Sequence, residues 1–197
     1  MTRPETRRRR FAPLLTLAAG ALLALTSCAR YTPKPRGYFR IALQPKEYRY
    51  SDSSQVCFFE YPRNIARIVP QKDHPGWFDI VYPAYNARVY CSYMPINGNL
   101  YEISEDSRDF VYKHTVKADA ITQQAYEDPS RRMYGILYDI QGNTASSVQF
   151  ALTDSARHFL RGSLYFNNKP NKDSLAPVIR YLRDDIVHLM ETARWNP

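Results

Sequence analysis

The chain of 197 residues is short of the residues on which most catalytic and metal-binding signatures are built, with three cysteines, four histidines and seven glycines. No C-x-x-C, H-E-x-x-H, G-x-S-x-G or glycine-rich phosphate loop occurs, which removes the usual routes to zinc sites, nucleophile elbows and nucleotide binding. Seven glycines without a period exclude a collagen-like or linker architecture. Past residue 27 no apolar run approaches the ~20 residues of a membrane-spanning helix. No internal repeat is present. What is abundant is aromatic: 44% of residues are hydrophobic and 14% aromatic, sixteen of them tyrosine, too rich a composition for a disordered chain.

Charge is present but unevenly placed. Lys and Arg number 27 against 19 Asp and Glu, a net charge of +8, which taken whole points to nucleic acid or an anionic surface. Arg3, Arg7, Arg8, Arg9 and Arg10 stand in the first ten residues with only Glu5 opposing them, and the sixteen residues Phe11–Thr26 carry no charge. A basic start followed by a short apolar run is the pattern of a secretory signal. Without residues 1–27, 22 bases face 18 acids and the charge falls to +4. Export disfavours a nucleic-acid partner.

Leu25-Thr-Ser-Cys28 ends the apolar run and resembles the bacterial lipobox, in which the cysteine takes a diacylglycerol on sulfur and the signal is cut before it. Each buried CH₂ contributes about 0.8 kcal/mol, so one acyl chain anchors marginally and several hold firmly. Cys28 is therefore the expected lipid-attachment residue, and a membrane the expected partner. Residues 28–37 read as a tether: Pro33 and Pro35 favour an extended path, and Arg30, Lys34 and Arg36 suit anionic headgroups. Ala29 stands where well-studied envelopes use Asp to retain lipoproteins at the inner membrane. The expected address is thus the periplasmic face of the outer membrane.

Residues 38–197 are expected to form a single α+β domain, an antiparallel sheet packed with two amphipathic helices. Short β-branched or aromatic runs lie at Tyr38–Leu43, Gln55–Tyr61, Ala66–Val69, Trp77–Tyr82 and Ala87–Tyr93. Asn99-Leu-Tyr-Glu102 resembles a capping box opening a helix to about Lys117, with Ile103, Phe110 and Val111 on its apolar face. Arg132–Ile140, Ala145–Thr153 and Arg157–Phe166 form a meander, with Ala120–Tyr126 as an edge strand. In the middle strand Ser146, Val148, Phe150 and Leu152 alternate with Ser147, Gln149, Ala151 and Thr153. A last helix, capped by Asp173, carries Val178, Ile179, Leu182, Ile186, Leu189 and Met190 on one stripe, with Pro177 in its first turn.

Candidate chemistry is sparse. Cys57 and Cys91 both lie in strand-like runs; in an oxidising compartment they either form a disulfide or remain buried thiols. Asp185 and His188 offer two ligands on one helix face, too few for a zinc site. Asp154, Ser155 and His158 crowd one tight turn, where convergence into a nucleophilic triad is disfavoured. No metal, cofactor or small-molecule substrate is expected. The strand Arg157–Phe166 is more informative. With Leu160, Leu164 and Phe166 facing the core, Phe159, Arg161, Ser163 and Tyr165 face outward, the composition of an interface centre. The competing reading is a strand covered on both faces, with Arg161 bonded to carbonyls or a carboxylate.

Several blocks resemble one family. They include Pro33-Lys-Pro-Arg-Gly-Tyr-Phe-Arg-Ile41, Phe59-Glu-Tyr-Pro62, Glu105-Asp-Ser-Arg108, His158-Phe-Leu-Arg-Gly-Ser-Leu-Tyr-Phe-Asn167 and Asp173-Ser-Leu-Ala-Pro-Val178. The set looks like the gliding motility lipoprotein GldD family. That resemblance implies a non-catalytic cell-envelope lipoprotein needed for gliding, with partners among the gliding motility and type IX secretion proteins. Only the lipidated cysteine, matching Cys28, carries over as a functional residue. A small-ligand or glycan binder using the Tyr-rich sheet is the alternative reading, and a hydrolase with an unrecognised site the third.

Overall fold

The computed structural model describes residues 41–52, 56–113, 116–167 and 171–196. The expected signal, Cys28 and the tether lie outside them. In chain order the elements are β1 (Tyr48–Tyr50), β2 (Cys57–Phe58), β3 (Glu60–Pro62), β4 (Arg67–Pro70), β5 (Phe78–Tyr82), β6 (Ala87–Pro95), α1 (Leu100–Tyr112), β7 (Ala118–Asp128), β8 (Met133–Gly142), β9 (Ser146–Thr153), β10 (His158–Phe166), α2 (Lys172–Thr192) and β11 (Arg194–Trp195). Seven strands form one antiparallel sheet in the order β4-β5-β6-β10-β9-β8-β7, while β1 pairs with β3 and β2 with β11 in small ribbons. The domain is α+β, as the pattern of strands and amphipathic helices predicts.

Alternation along the strands divides the sheet into two unlike faces. Phe78, Ile80 and Tyr82 of β5, Val89 and Cys91 of β6, Val148, Phe150 and Leu152 of β9, and Leu160 and Leu164 of β10 join one buried cluster. α2 completes it with Val178, Leu182, Ile186, Leu189 and Met190, the stripe read from the 3.6-residue spacing. Each such side chain, fully buried, stabilises the fold by roughly 1.5–3 kcal/mol. The other face is covered only in part. Ile103 of α1 meets Ala151 and Phe159, and Val111 meets Tyr138 and Ile140, in two small clusters.

Local details depart from the sequence pattern at the element ends. Residues 41–43 form no strand, and the sole strand before β2 among the described residues is the ribbon strand β1. Asn99 makes no cap bond to α1; its side-chain oxygen accepts from the Asn97 amide at 2.9 Å instead. α1 stops at Tyr112, short of Lys117. Asn171, not Asp173, caps α2 by accepting from the Ser174 amide at 3.2 Å. Because α2 therefore begins at Lys172, Pro177 falls in its second turn. There proline removes one helical hydrogen bond, a defect the buried stripe beyond it tolerates.

One close approach constrains the centre of the sheet. Gly162 of β10 lies opposite Phe150 of β9, and a Cβ at residue 162 would come within 2.1 Å of the Phe150 ring. Gly162→Ala is therefore expected to destabilise the domain by roughly 1–3 kcal/mol through overpacking. Adding Phe150→Leu should relieve part of that loss, since the clashing ring carbons are gone. Urea unfolding of the two single variants and the double variant tests this; strictly additive losses would contradict the steric account.

Candidate functional site

The half-covered face carries the candidate interaction residues. On β10, residues 159, 161, 163 and 165 point away from the α2 core, as alternation requires. Phe159 is the correction: it is 3% exposed and packs under α1 with Ile103 and Ala151, because α1 crosses the sheet at that end. Arg161, Ser163 and Tyr165 lie beyond the helix and remain half-buried. Antiparallel register sets Ser92 opposite Arg161 and Tyr90 opposite Ser163 on β6, with Gln149 opposite Ser163 on β9. The last turn of α1 adds Phe110, 46% exposed, whose ring centroid lies 4.1 Å from the Arg161 guanidinium carbon. These side chains line a recess of about 300 Å³.

Charge in this recess is unbalanced. Arg88, two residues along β6 from Tyr90, is paired with the buried carboxylate of Asp79 at 2.8 Å; Asp79 also accepts from Gln71 at 2.7 Å. Arg161 has no such partner: among the described residues, no carboxylate lies within 4 Å of its guanidinium. Burial pushes the Arg161 pKa down, and the more distant Asp106 and Tyr165 pull it part of the way back. Tyr165 in turn is raised by burial and by Tyr90, and lowered by Arg161, so its hydroxyl stays a donor at neutral pH. Tyr90 and Tyr165 meet edge to face at 5.5 Å. Together they form a ridge between the recess and a second groove of about 430 Å³ that runs to Asn86 and Asn167.

A scan against family models places residues 28–195 in the family described as gliding motility lipoprotein GldD. The chain belongs to that family. The matched span starts at Cys28 and takes in every element of the fold. No curated protein matches it. Among solved structures, the solution structure of cyanobacterial PsbP (CyanoP) from Synechocystis sp. is similar at 12% identity, covering 81% of this chain and 98% of that one with a TM-score of 0.47. That likeness is too distant to bear on fold or function.

The other candidates of this GldD-family chain have structural employment. Cys57 and Cys91 are free, buried thiols, so the disulfide left open by the sequence is not formed here. Both face the α2 core as small apolar groups; burial pushes the Cys57 thiol up to about 12 and Cys91 well above its ordinary value. Asp154, Ser155 and His158 make a turn and not a triad. One Asp154 oxygen accepts from the amides of Ala156, Arg157 and His158 at 2.7–2.9 Å. Burial alone would raise this carboxyl, but those three bonds hold it below the usual range. His158 bonds Tyr93 through Nδ1 at 3.0 Å and stacks on Trp195.

Asp185 and His188 also diverge. His188 pairs with Glu60 at 2.7 Å, whereas the Asp185 side chain, 1% exposed, meets Lys46 Nζ at 2.7 Å. Asp185 also accepts from the Tyr48 hydroxyl at 2.6 Å. Burial raises the Asp185 carboxyl, while Lys46 and Tyr48 draw it back down. Removing one partner of such a pair is far more damaging than removing both. Lys46→Met should cost roughly 3–5 kcal/mol near neutral pH. The sign with pH follows from the raised carboxyl, which rises further without Lys46. The penalty is absent below the unfolded value of about 3.9 and grows as pH climbs through the folded one. Urea midpoints across that range, with Lys46→Met/Asp185→Leu expected to recover most of the loss, provide the measurement.

Proposed function

We propose that this chain is a non-catalytic interaction component of the gliding machinery and its associated type IX secretion. It would be held at the periplasmic face of the outer membrane by lipids on Cys28. The observation that carries the reading is the half-covered sheet face, where exposed Tyr90 and Phe110 surround a half-buried arginine. Aromatic residues and arginine are the side chains that dominate binding energy at protein interfaces. The anchor has independent support: the family match opens at the cysteine that ends the lipobox-like run, and no helix among the described residues is long and apolar enough to cross a membrane. On this reading firm attachment rests on acyl chains, several of which hold where one does not.

Two comparisons test the reading. Cys28→Ala should move the protein from the membrane pellet to the soluble or inner-membrane fraction of cells; full retention at the outer membrane would overturn the anchor. Crosslinking and pulldown of tagged wild-type protein from envelopes should recover gliding or type IX secretion components. Recovery of none would overturn the interaction role.

A further inference from the structure

The half-buried Arg161 is a cation with no carboxylate within ion-pair distance among the described residues. Residues 28–40, 53–55, 114–115, 168–170 and 197, which are not among the described residues, contain no Asp or Glu. Within the described residues Asp106 influences Arg161 only at a distance. Arg88 on the same face shows the contrast, since its charge is answered by Asp79 at 2.8 Å. A guanidinium removed from much of its water, with one face stacked on Phe110, retains hydrogen-bonding edges that match a planar anion.

The surroundings narrow the kind of anion. Arg161 is the one cation lining the recess, together with neutral hydrogen-bonding groups on Ser92, Ser163, Gln149 and Tyr165; Lys113 Nζ stands at its rim, 4.5 Å from the centre of the same Phe110 ring. One guanidinium fork backed by neutral hydroxyls and an amide suits a carboxylate, which accepts two parallel N–H bonds. At about 300 Å³ the recess admits a side chain. The adjoining groove, reached over the Tyr90–Tyr165 ridge, continues the surface for the residues that would flank it. An aromatic rim around a central arginine is the arrangement of a protein hot spot.

We infer that this recess binds an Asp or Glu side chain presented by an acidic segment of a protein partner, the carboxylate docking on Arg161 beside Phe110. The inference rests on the interaction reading above and specifies its contact. A salt bridge completed there is partly desolvated and hydrogen-bonded on both sides, so it adds specificity as well as affinity.

The test uses the full-length lipoprotein in detergent micelles and a displayed library of random peptides. Selected peptides should share an Asp or Glu, and its change to Asn or Gln should weaken binding roughly tenfold or more. Arg161→Gln should weaken the same peptides comparably, and Arg161→Lys by less, since lysine keeps the charge but loses the fork. Ser163→Trp, which fills the recess, serves as a second variant should Arg161→Gln unfold. Peptides without acidic enrichment, or unchanged binding to both variants, would overturn the inference. Equal competition by inorganic phosphate or by soluble peptidoglycan fragments would overturn its protein source. In the envelope pulldown, Arg161→Gln should lose the components that wild type captures. Capture by both defeats this inference and leaves the interaction role standing, whereas capture by neither defeats the role itself.

Discussion

Leu182, Ile186 and Leu189 of α2 share one buried cluster with Val89, Val148 and Leu164 of the central strands, and the rest of the molecule is arranged around that contact. An isolated antiparallel sheet of short strands cannot hold its shape in water, because its stability comes from burying one face. Once α2 occupies one face, side-chain alternation sends every second residue to the other. On β10, Leu160, Gly162 and Leu164 therefore face α2, and of the odd positions only Phe159 is buried, under α1. Gly162 shows how tight the covered side is, since it leaves room for the Phe150 ring and for nothing more.

The opposite face inherits what the short helix α1 leaves open. Its thirteen residues run from Phe159 towards β8, where Val111 meets Tyr138 and Ile140, and leave Arg161 to one side. An arginine at that boundary is neither fully hydrated nor paired with a carboxylate within 4 Å among the described residues, and its position follows from the path of the helix as much as from its own chemistry. Phe110 belongs to the same boundary. At the last turn of an amphipathic helix, an aromatic side chain overhangs the sheet and meets the arginine, without entering a core.

Strand periodicity made much of this legible beforehand. The alternating pattern of 146–153 and 157–166 predicts the faces of β9 and β10, and the spacing of Val178, Leu182, Ile186 and Leu189 predicts the stripe of α2. The misses share a physical origin in tertiary placement. Phe159 was expected outside because period-two alternation says which face a residue takes but not what covers that face. Tyr90, Ser92 and Gln149 enter the recess through cross-strand register, which depends on which strands pair. Asn99 does not cap α1 and Asn171 caps α2 in place of Asp173, because a cap depends on the path of the chain entering the helix.

The ion pair between Lys46 and Asp185 has a mechanical meaning for a chain expected to be fastened at its N-terminal side. Gln44 and Lys46 are bonded to Tyr181, and Tyr48 to Asp185, both on α2. Tension entering along the chain before residue 44 would thus be shared among the bonds to Tyr181 and Asp185 of α2. The sheet face that carries Arg161 lies on the far side of the core from that helix. A pull from that side would load the helix and the core before it reached that face.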